Sequence, residues 1–294
     1  MPPLRILRPD EIASSAIGIG VEPGTPQTPA SQTPASQTPA SQTPASEPAA
    51  WHGLEPTAEL LAELADASEC LETAHPREIL RWGLERFAPQ FTMATAFGPE
   101  GCCILHMLGD IEPGVKVINL DTGYQFAETL ELRERIKDRY GIEVELVRPE
   151  LSVAEYEKEH GGPLYTHRPD QCCFDRKVLP LRRAVKGYAS WISAIRGDQT
   201  EHRKVAGVIQ WDAKFNLVKV NPLLHWTKKD VWNFIIKHDV PYNPLHDRGY
   251  PSIGCWPCTA PVEDGGDDRS GRWAGSQKKE CGLHVIEHQE GSGI

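Results

Sequence analysis

Apolar residues recur along this chain in two rhythms. In "LEPTAELLAELADA" and "HPREILRWGLERFA" they fall three and four apart, which predicts two amphipathic helices, the second with Pro76 in its first turn. From Phe91 onward the pattern changes to short apolar runs, "VKVINL" being of the kind buried in a parallel sheet. "FTMATAF" (Phe91 to Phe97), "VKVINL" (Val115 to Leu120), "IEVELVRP", "SWISAIRG" and "LVKVNPLL" predict strands. Between them, "CCILHML" after the turn "GPEG", the charge-rich stretch ending at Tyr140, and "TKKDVWNFIIKHD" predict helices. Thr227 and Asp230 give the last of these a capping-box start. Strands alternating with helices over this length imply an α/β fold with a mostly parallel sheet flanked by helices. In such a sheet ligands bind beyond the carboxyl ends of the strands, so the loops at Gly98, Asp121 and Arg196 are the places to look for chemistry.

The N-terminal part carries no such rhythm. The unit "QTPAS" occurs four times from Gln27 to Ser46. A period of five without apolar anchors cannot bury a core, so it reads as a disordered or polyproline-like spacer. The expected organisation is an N-terminal extension over 1–50, a globular domain over 51–268, and a C-terminal segment over 269–294.

Charge and cysteine usage narrow the chemistry. The net charge of −10 argues against general nucleic-acid binding, because tracking a phosphate backbone needs basic excess. There is no run of eighteen apolar residues, and "MPPLRILRPDEIASSAIGIG" lacks the continuous apolar stretch of a secretory signal. Eight cysteines are too few for a disulfide scaffold in a chain of 294 residues and favour metal or redox chemistry in a cytoplasmic setting.

The cysteines fall into distinct settings. Cys172 and Cys173 in "RPDQCCFDRK" pair with Cys255 and Cys258 in "GCWPCT", four thiolates from two short segments. Adjacent cysteines on a helix point in well-separated directions, which suits the several irons of an iron–sulfur cluster better than one tetrahedral zinc ion. Cys102 and Cys103 lie in an apolar helical start and read as packing residues, as does Cys70. Cys281 lies near Lys278, Lys279 and His284, with Arg269 and Arg272 upstream. Cations favour the thiolate, so Cys281 reads equally as a nucleophile or as an inert cysteine near the end.

Taken together, "CC…RK…PLRRA", "AIRGDQT", "GYPSIGCWPCT", "DRSGRW" and terminal "ECGLH" resemble the iron–sulfur adenylylsulfate (APS) reductases of the sulfonucleotide reductase family, from about Thr92 to His284. The resemblance implies a Rossmann-like sheet of the adenine nucleotide alpha hydrolase type and a [4Fe-4S] cluster on Cys172, Cys173, Cys255 and Cys258. It implies that Cys281 attacks the sulfur of APS, that AMP leaves, and that an S-sulfocysteine remains. Thioredoxin, or a glutaredoxin-like protein, then releases sulfite.

That scheme brings a thiolate toward an anionic phosphosulfate, and one like-charge pair at 4 Å costs about 4 kcal/mol at an effective dielectric of 20. By motif match the offsetting cations are Lys177, Arg196, Arg269 and Arg272, while Arg182, Arg183 and Lys186 read as solvated charges. His284 would hold the tail geometry or stabilise the thiolate. "TAFGPEG" departs from the family's Ser-Phe-Gly-Ala-Glu at Ala96 and Pro99, leaving backbone contacts from Phe97 and Gly98 to the nucleotide. Leu120, Asp121, Thr122 and Gly123 match the loop that lies against adenine and ribose. A C-terminal tail mobile from about Arg269 and a reductant on a separate protein are expected. Homo-oligomerisation stays open. The competing readings are a reductase for the 3′-phosphorylated substrate (PAPS), an ATP-dependent adenylating enzyme, whose Ser-Gly-Gly-x-Asp-Ser-like loop "AFGPEG" is not, and a non-catalytic module bearing a cluster or zinc.

Overall fold

The computed structural model describes residues 54–263, 265–275, 278, 282 and 283. The "QTPAS" repeat, Cys281 and His284 lie outside the described residues.

The two opening helices are α1 (Ala58–Cys70) and α2 (Pro76–Phe87). At the start of α2 the His75 ring accepts from the Arg77 amide at 3.2 Å, and the Glu78 carboxylate accepts from the His75 amide at 3.0 Å. These bonds satisfy amides that the helix itself cannot pair.

Six strands follow: β1 (Phe91–Thr95), β2 (Lys116–Leu120), β3 (Val144–Val147), β4 (Ser190–Ile192), β5 (Ile209–Asp212) and β6 (Leu217–Val220). They form one sheet in the order β3-β2-β1-β4-β6-β5, parallel throughout except for β5 against β6. Met93 of β1 is in register with Val117 on one side and Ile192 on the other. The helices between and after them are α3 (Pro99–Ile111), α4 (Ala127–Tyr140), α5 (Val153–Glu159), α6 (Pro169–Cys173), α7 (Leu179–Ala184), α8 (Glu201–Lys204) and α9 (Lys228–His238). Thr227 and Asp230 cap α9 reciprocally, as their spacing predicts.

Successive strand residues feed two cores, one on each face of the sheet. Met93, Val117, Ile192, Val218 and Val220 join Leu105, Leu108, Leu132 and Ile235 of the helices in the larger one. Ile118, Trp191 and Leu217 join Val178, Leu181, Val185 and Phe215 in the smaller. Full burial of each such side chain contributes about 1.5–3 kcal/mol, so register is strongly specified on both faces.

Two departures from the expected strands have local causes. The strand expected over "SWISAIRG" ends at Ile192, although the Ser193 amide still bonds the Val220 carbonyl at 2.9 Å. From there the chain leaves the sheet toward Arg196. Strand β5, over "IQWD", was not anticipated; its middle residues are only half-buried because it is the antiparallel edge.

Candidate active site

The strand order reverses at β1: β2 and β3 lie on one side of it, and β4, which follows β3 in the chain, lies on the other. Crevices form at such points beyond the carboxyl ends of the strands. Here a cavity of about 490 Å³ opens against Thr95 at the end of β1, Leu120 at the end of β2 and Ala194 after β4.

The β1–α3 loop is bent tightly over its own strand. The Phe97 amide donates to Thr95 Oγ1 at 3.0 Å, and buried Phe97 takes a left-handed φ of 56°. A bulky residue in that region is a strained conformation that the surrounding packing must impose. Gly98 caps α3 without a side-chain hydrogen bond and lines the cavity, so the unpaired amides of the first helical turn start there. Gly101, one turn further, leaves the room that a Cβ would take from Thr95 Oγ1 at 2.7 Å.

The loop after β2 is organised by its own polar groups. The Asp121 carboxylate accepts from the Gly123 amide at 3.1 Å and from Arg148 Nε at 2.9 Å, and Gly123 adopts a left-handed φ of 77°. Thr122 Oγ1 accepts from the Tyr124 amide at 3.2 Å. Leu120 and Thr122 line the cavity; Asp121 and Gly123 shape the turn behind them. Phe97 likewise lies behind the cavity wall.

The four paired cysteines converge on a second, smaller pocket beside the first. Helix α6 runs into a π-helical turn over Phe174–Val178 and then into α7. This wider turn places Cys172, Cys173, Arg176 and Lys177 all on the pocket, opposite Cys255 and Cys258. None of the described cysteines is disulfide-bonded. Burial, and then crowding by the other three sulfurs, push the Cys172 thiol up to about 12. Burial and the neighbouring Cys255 and Cys173 raise Cys258 to about 11. Burial would also raise Cys255, but Lys177, the Thr122 hydroxyl and Arg272 outweigh it and bring that thiol below its ordinary value. Among the described residues, no three His, Cys, Asp or Glu groups converge as they would on one metal ion.

Thr122, Lys177, Cys255 and Trp273 line both pockets, so the two share a wall. The cavity also receives the other sequence-predicted cations. Arg272 lies in a β-bridge with Thr259, donates to the Cys258 carbonyl and Ser252 Oγ at 3.4 Å each, and stacks 4.6 Å over Trp273. Arg269 lies 5.8 Å from the same ring. Residues 269–275 are thus joined to the body of the domain: the Trp273 amide bonds the Cys258 carbonyl at 3.1 Å. Among the described lining residues six Lys or Arg face four carboxylates, a local positive excess in a chain of charge −10.

This arrangement has known counterparts. Residues 90–261 match the family model described as "Phosphoadenosine phosphosulfate reductase domain". The chain belongs to that family. It is 44% identical over 218 residues to an adenosine 5′-phosphosulfate reductase of Bacillus mycoides, covering 74% of this chain and 93% of the relative. With an enzyme of the same name from Salinibacter ruber it shares 42% over 228 residues, 77% of this chain and 90% of the relative. The crystal structure of phosphoadenylyl-sulfate (PAPS) reductase from Candida auris, a phosphate complex, superposes with a TM-score of 0.63 at 31% identity, covering 71% of this chain and all of that one.

Within this family site, two residues matter that sequence reading passed over. Glu100 is buried in the first turn of α3 and pairs with the Arg196 guanidinium, which also bonds Asp198 at 2.9 Å. The Arg196 charge is therefore shared with two carboxylates at the cavity wall. Arg176 is also buried. It donates to the Thr122 carbonyl at 2.7 Å and the Leu151 carbonyl at 3.2 Å, with Tyr156 and Tyr124 rings 5.0 and 5.4 Å from its guanidinium. It ties the loop after β2 to the helix of Cys172. The run "FDRK" offered no signal for this, since a charged run more often faces solvent.

The remaining cysteines divide. Cys102 and Cys103 are fully buried in the larger core, where burial raises both thiols. Cys70 is exposed, contrary to the packing role expected for it. Arg183 makes an exposed pair with Glu150 at 3.1 Å, and Arg182 covers Phe174. Cys281 and His284 lie outside the described residues, but Leu283 lines the cavity.

Proposed function

We propose that this chain reduces adenosine 5′-phosphosulfate to sulfite and AMP. The observation that carries the reading is the wall shared by a nucleotide-sized, cationic cavity and the pocket of four cysteines. The names of the relatives at 42–44% identity support APS as the substrate.

In this reading the adenosine lies against Leu120 and Thr122, and the amides at the start of α3, near Gly98, face its phosphate end. Lys177, Arg269 and Arg272 offset the negative charge of the phosphosulfate; Arg196 holds the wall through Glu100. The thiolate of Cys281 attacks the sulfur. A sulfur–sulfur bond forms, the sulfur–oxygen bond to AMP breaks, and AMP takes the electron pair. His284 supports the thiolate. A dithiol protein of the thioredoxin or glutaredoxin class then attacks the S-sulfocysteine, releases sulfite and departs as a disulfide, supplying two electrons. All of this takes place in the cytoplasm, a setting that keeps thiols reduced.

The smaller pocket fits a [4Fe-4S] cluster held by Cys172, Cys173, Cys255 and Cys258. Four crowded thiols, two of them pushed well above their ordinary values, are in the state that iron would relieve by taking them as thiolates. When bound, the group supplies redox-active iron and a fixed local charge. Lys177 and Arg272 face the cysteines and the cavity together, so the same cations serve both.

The test is kcat/KM for APS and for its 3′-phosphorylated form, with absorption, iron and sulfide measured on anaerobically purified protein. A strong preference for the 3′-phosphorylated substrate would favour the second reading, which the 31% likeness to the Candida auris PAPS reductase supports. A colourless zinc protein would overturn the cluster.

A further inference from the structure

The turn between β5 and β6 reaches the C-terminal segment at a specific point. Lys214, in that turn, donates from Nζ to the Gly282 carbonyl at 2.7 Å. The turn is firm: the amides of Phe215 and Asn216 both bond the Asp212 carbonyl, at 3.2 and 2.8 Å, and the Phe215 ring is buried 5.6 Å from that of Trp191. Next to the carbonyl, Leu283 packs onto the smaller core, which contains Val178, Trp191 and Phe215, while also lining the cavity. Gly282 passes so near the helix that a Cβ there would lie 3.2 Å from Val178 Cγ2. A polar anchor, an apolar anchor and a glycine approach therefore converge on two consecutive residues.

We propose that Lys214 is a positioning residue for the reaction, acting by fixing Gly282–Leu283 against the cavity wall. The inference rests on the reading of Cys281 as the nucleophile. Consecutive Cα atoms are about 3.8 Å apart, so an anchor at 282 limits where the reacting group at 281 can go. Orientation of a nucleophile is a large part of its reactivity, and a misplacement of about 1 Å can cost 10²-fold. Lys214 does not line the cavity itself, so its effect should fall on the rate of sulfur transfer and leave nucleotide affinity intact.

The experiment compares wild type, Lys214→Met, Lys214→Arg, Leu283→Ala and Cys281→Ser. Three quantities are measured: AMP affinity, melting temperature, and the single-turnover rate at which the full chain gains one SO₃ group by mass spectrometry. Lys214→Met should slow adduct formation about tenfold with AMP affinity and melting temperature unchanged. Lys214→Arg, which keeps a donor, should restore most of the rate, and Leu283→Ala should slow the same step. Full-rate adduct formation by Lys214→Met, or a loss matched by weaker AMP binding and a lower melting temperature, would overturn the positioning role. An adduct on Cys281→Ser would overturn the nucleophile assignment, and the role of Lys214 with it. The two failures are thereby distinct.

Discussion

The hydroxyl of Thr122 lies 3.2 Å from the sulfur of Cys255, 133 residues further along the chain. Through this contact the loop after β2 touches the cysteine pocket directly. Thr122 also accepts the Tyr124 amide, and its own carbonyl accepts Arg176. Thr122→Val keeps the shape and removes the oxygen. We expect a stability loss of about 1–2 kcal/mol from the unpaired buried amide and a lower iron content in the purified protein. Unchanged urea unfolding and iron content would show that the contact is incidental.

Glu100 and Arg196 form a pair buried at the cavity wall. Glu100→Gln removes one charge and leaves the guanidinium to Asp198. Breaking a buried pair from one side costs about 3 kcal/mol, which chemical denaturation should register as an earlier midpoint with an unchanged slope. A loss below about 1 kcal/mol, the range of exposed pairs, would mean that water reaches the site.

Gly254 faces the Arg272 guanidinium so closely that a Cβ would occupy its place. Because the obstacle is the end of a flexible side chain, Gly254→Ala should displace Arg272 at little cost in stability. The expected outcome is a drop in kcat/KM for APS of at least about tenfold, on the order of one lost charged hydrogen bond, with the melting temperature nearly unchanged. Wild-type kinetics would remove Arg272 from the substrate cations.

His246 gives a pH signature. Burial pulls its imidazole down to about 4, against an ordinary 6.5. The unfolded chain therefore binds the proton more readily than the folded one between those values. The stabilisation from keeping this ring neutral is complete above about pH 6.5, declines as pH falls below it, and is lost by about pH 4. Its size is about 3 kcal/mol. Urea unfolding of wild type and His246→Gln across this range should show the variant losing less stability on acidification. Parallel curves would place the titration elsewhere.

Legibility in the sequence followed the range of the interactions. Strands β1 and β2 are buried on both faces over most of their length, and short runs of that kind identify themselves; β3, at the sheet edge, was legible from its β-branched and apolar residues around an exposed Glu145. Strand β5 escaped notice since "IQWD" is only four residues long and two of them, Gln210 and Asp212, are polar. The cysteine pairs were legible because their spacing is local, whereas the Arg196–Glu100 pair joins residues 96 apart, and an acid in a first helical turn already has a local explanation. Arg176 was hidden for a related reason: its partners are carbonyls and rings brought in by other segments. Cys70 shows the opposite failure: the usual packing role of a free cysteine was set above the polar neighbours in "ASECLETA", and the residue lies at the surface.

The π-helical turn between α6 and α7 acts as a phase adjuster. Each residue added to or removed from a helix rotates the preceding segment by about 100° relative to the succeeding one. Deleting one residue within Phe174–Val178 would let the segment relax to a regular α-helix and swing Cys172 and Cys173 away from Cys255 and Cys258. Single substitutions there change a side chain; a single deletion changes the aim of the whole preceding turn. Apart from Arg176, Lys177 and Val178, whose side chains have roles of their own, this stretch should therefore tolerate changes of identity far better than changes of length.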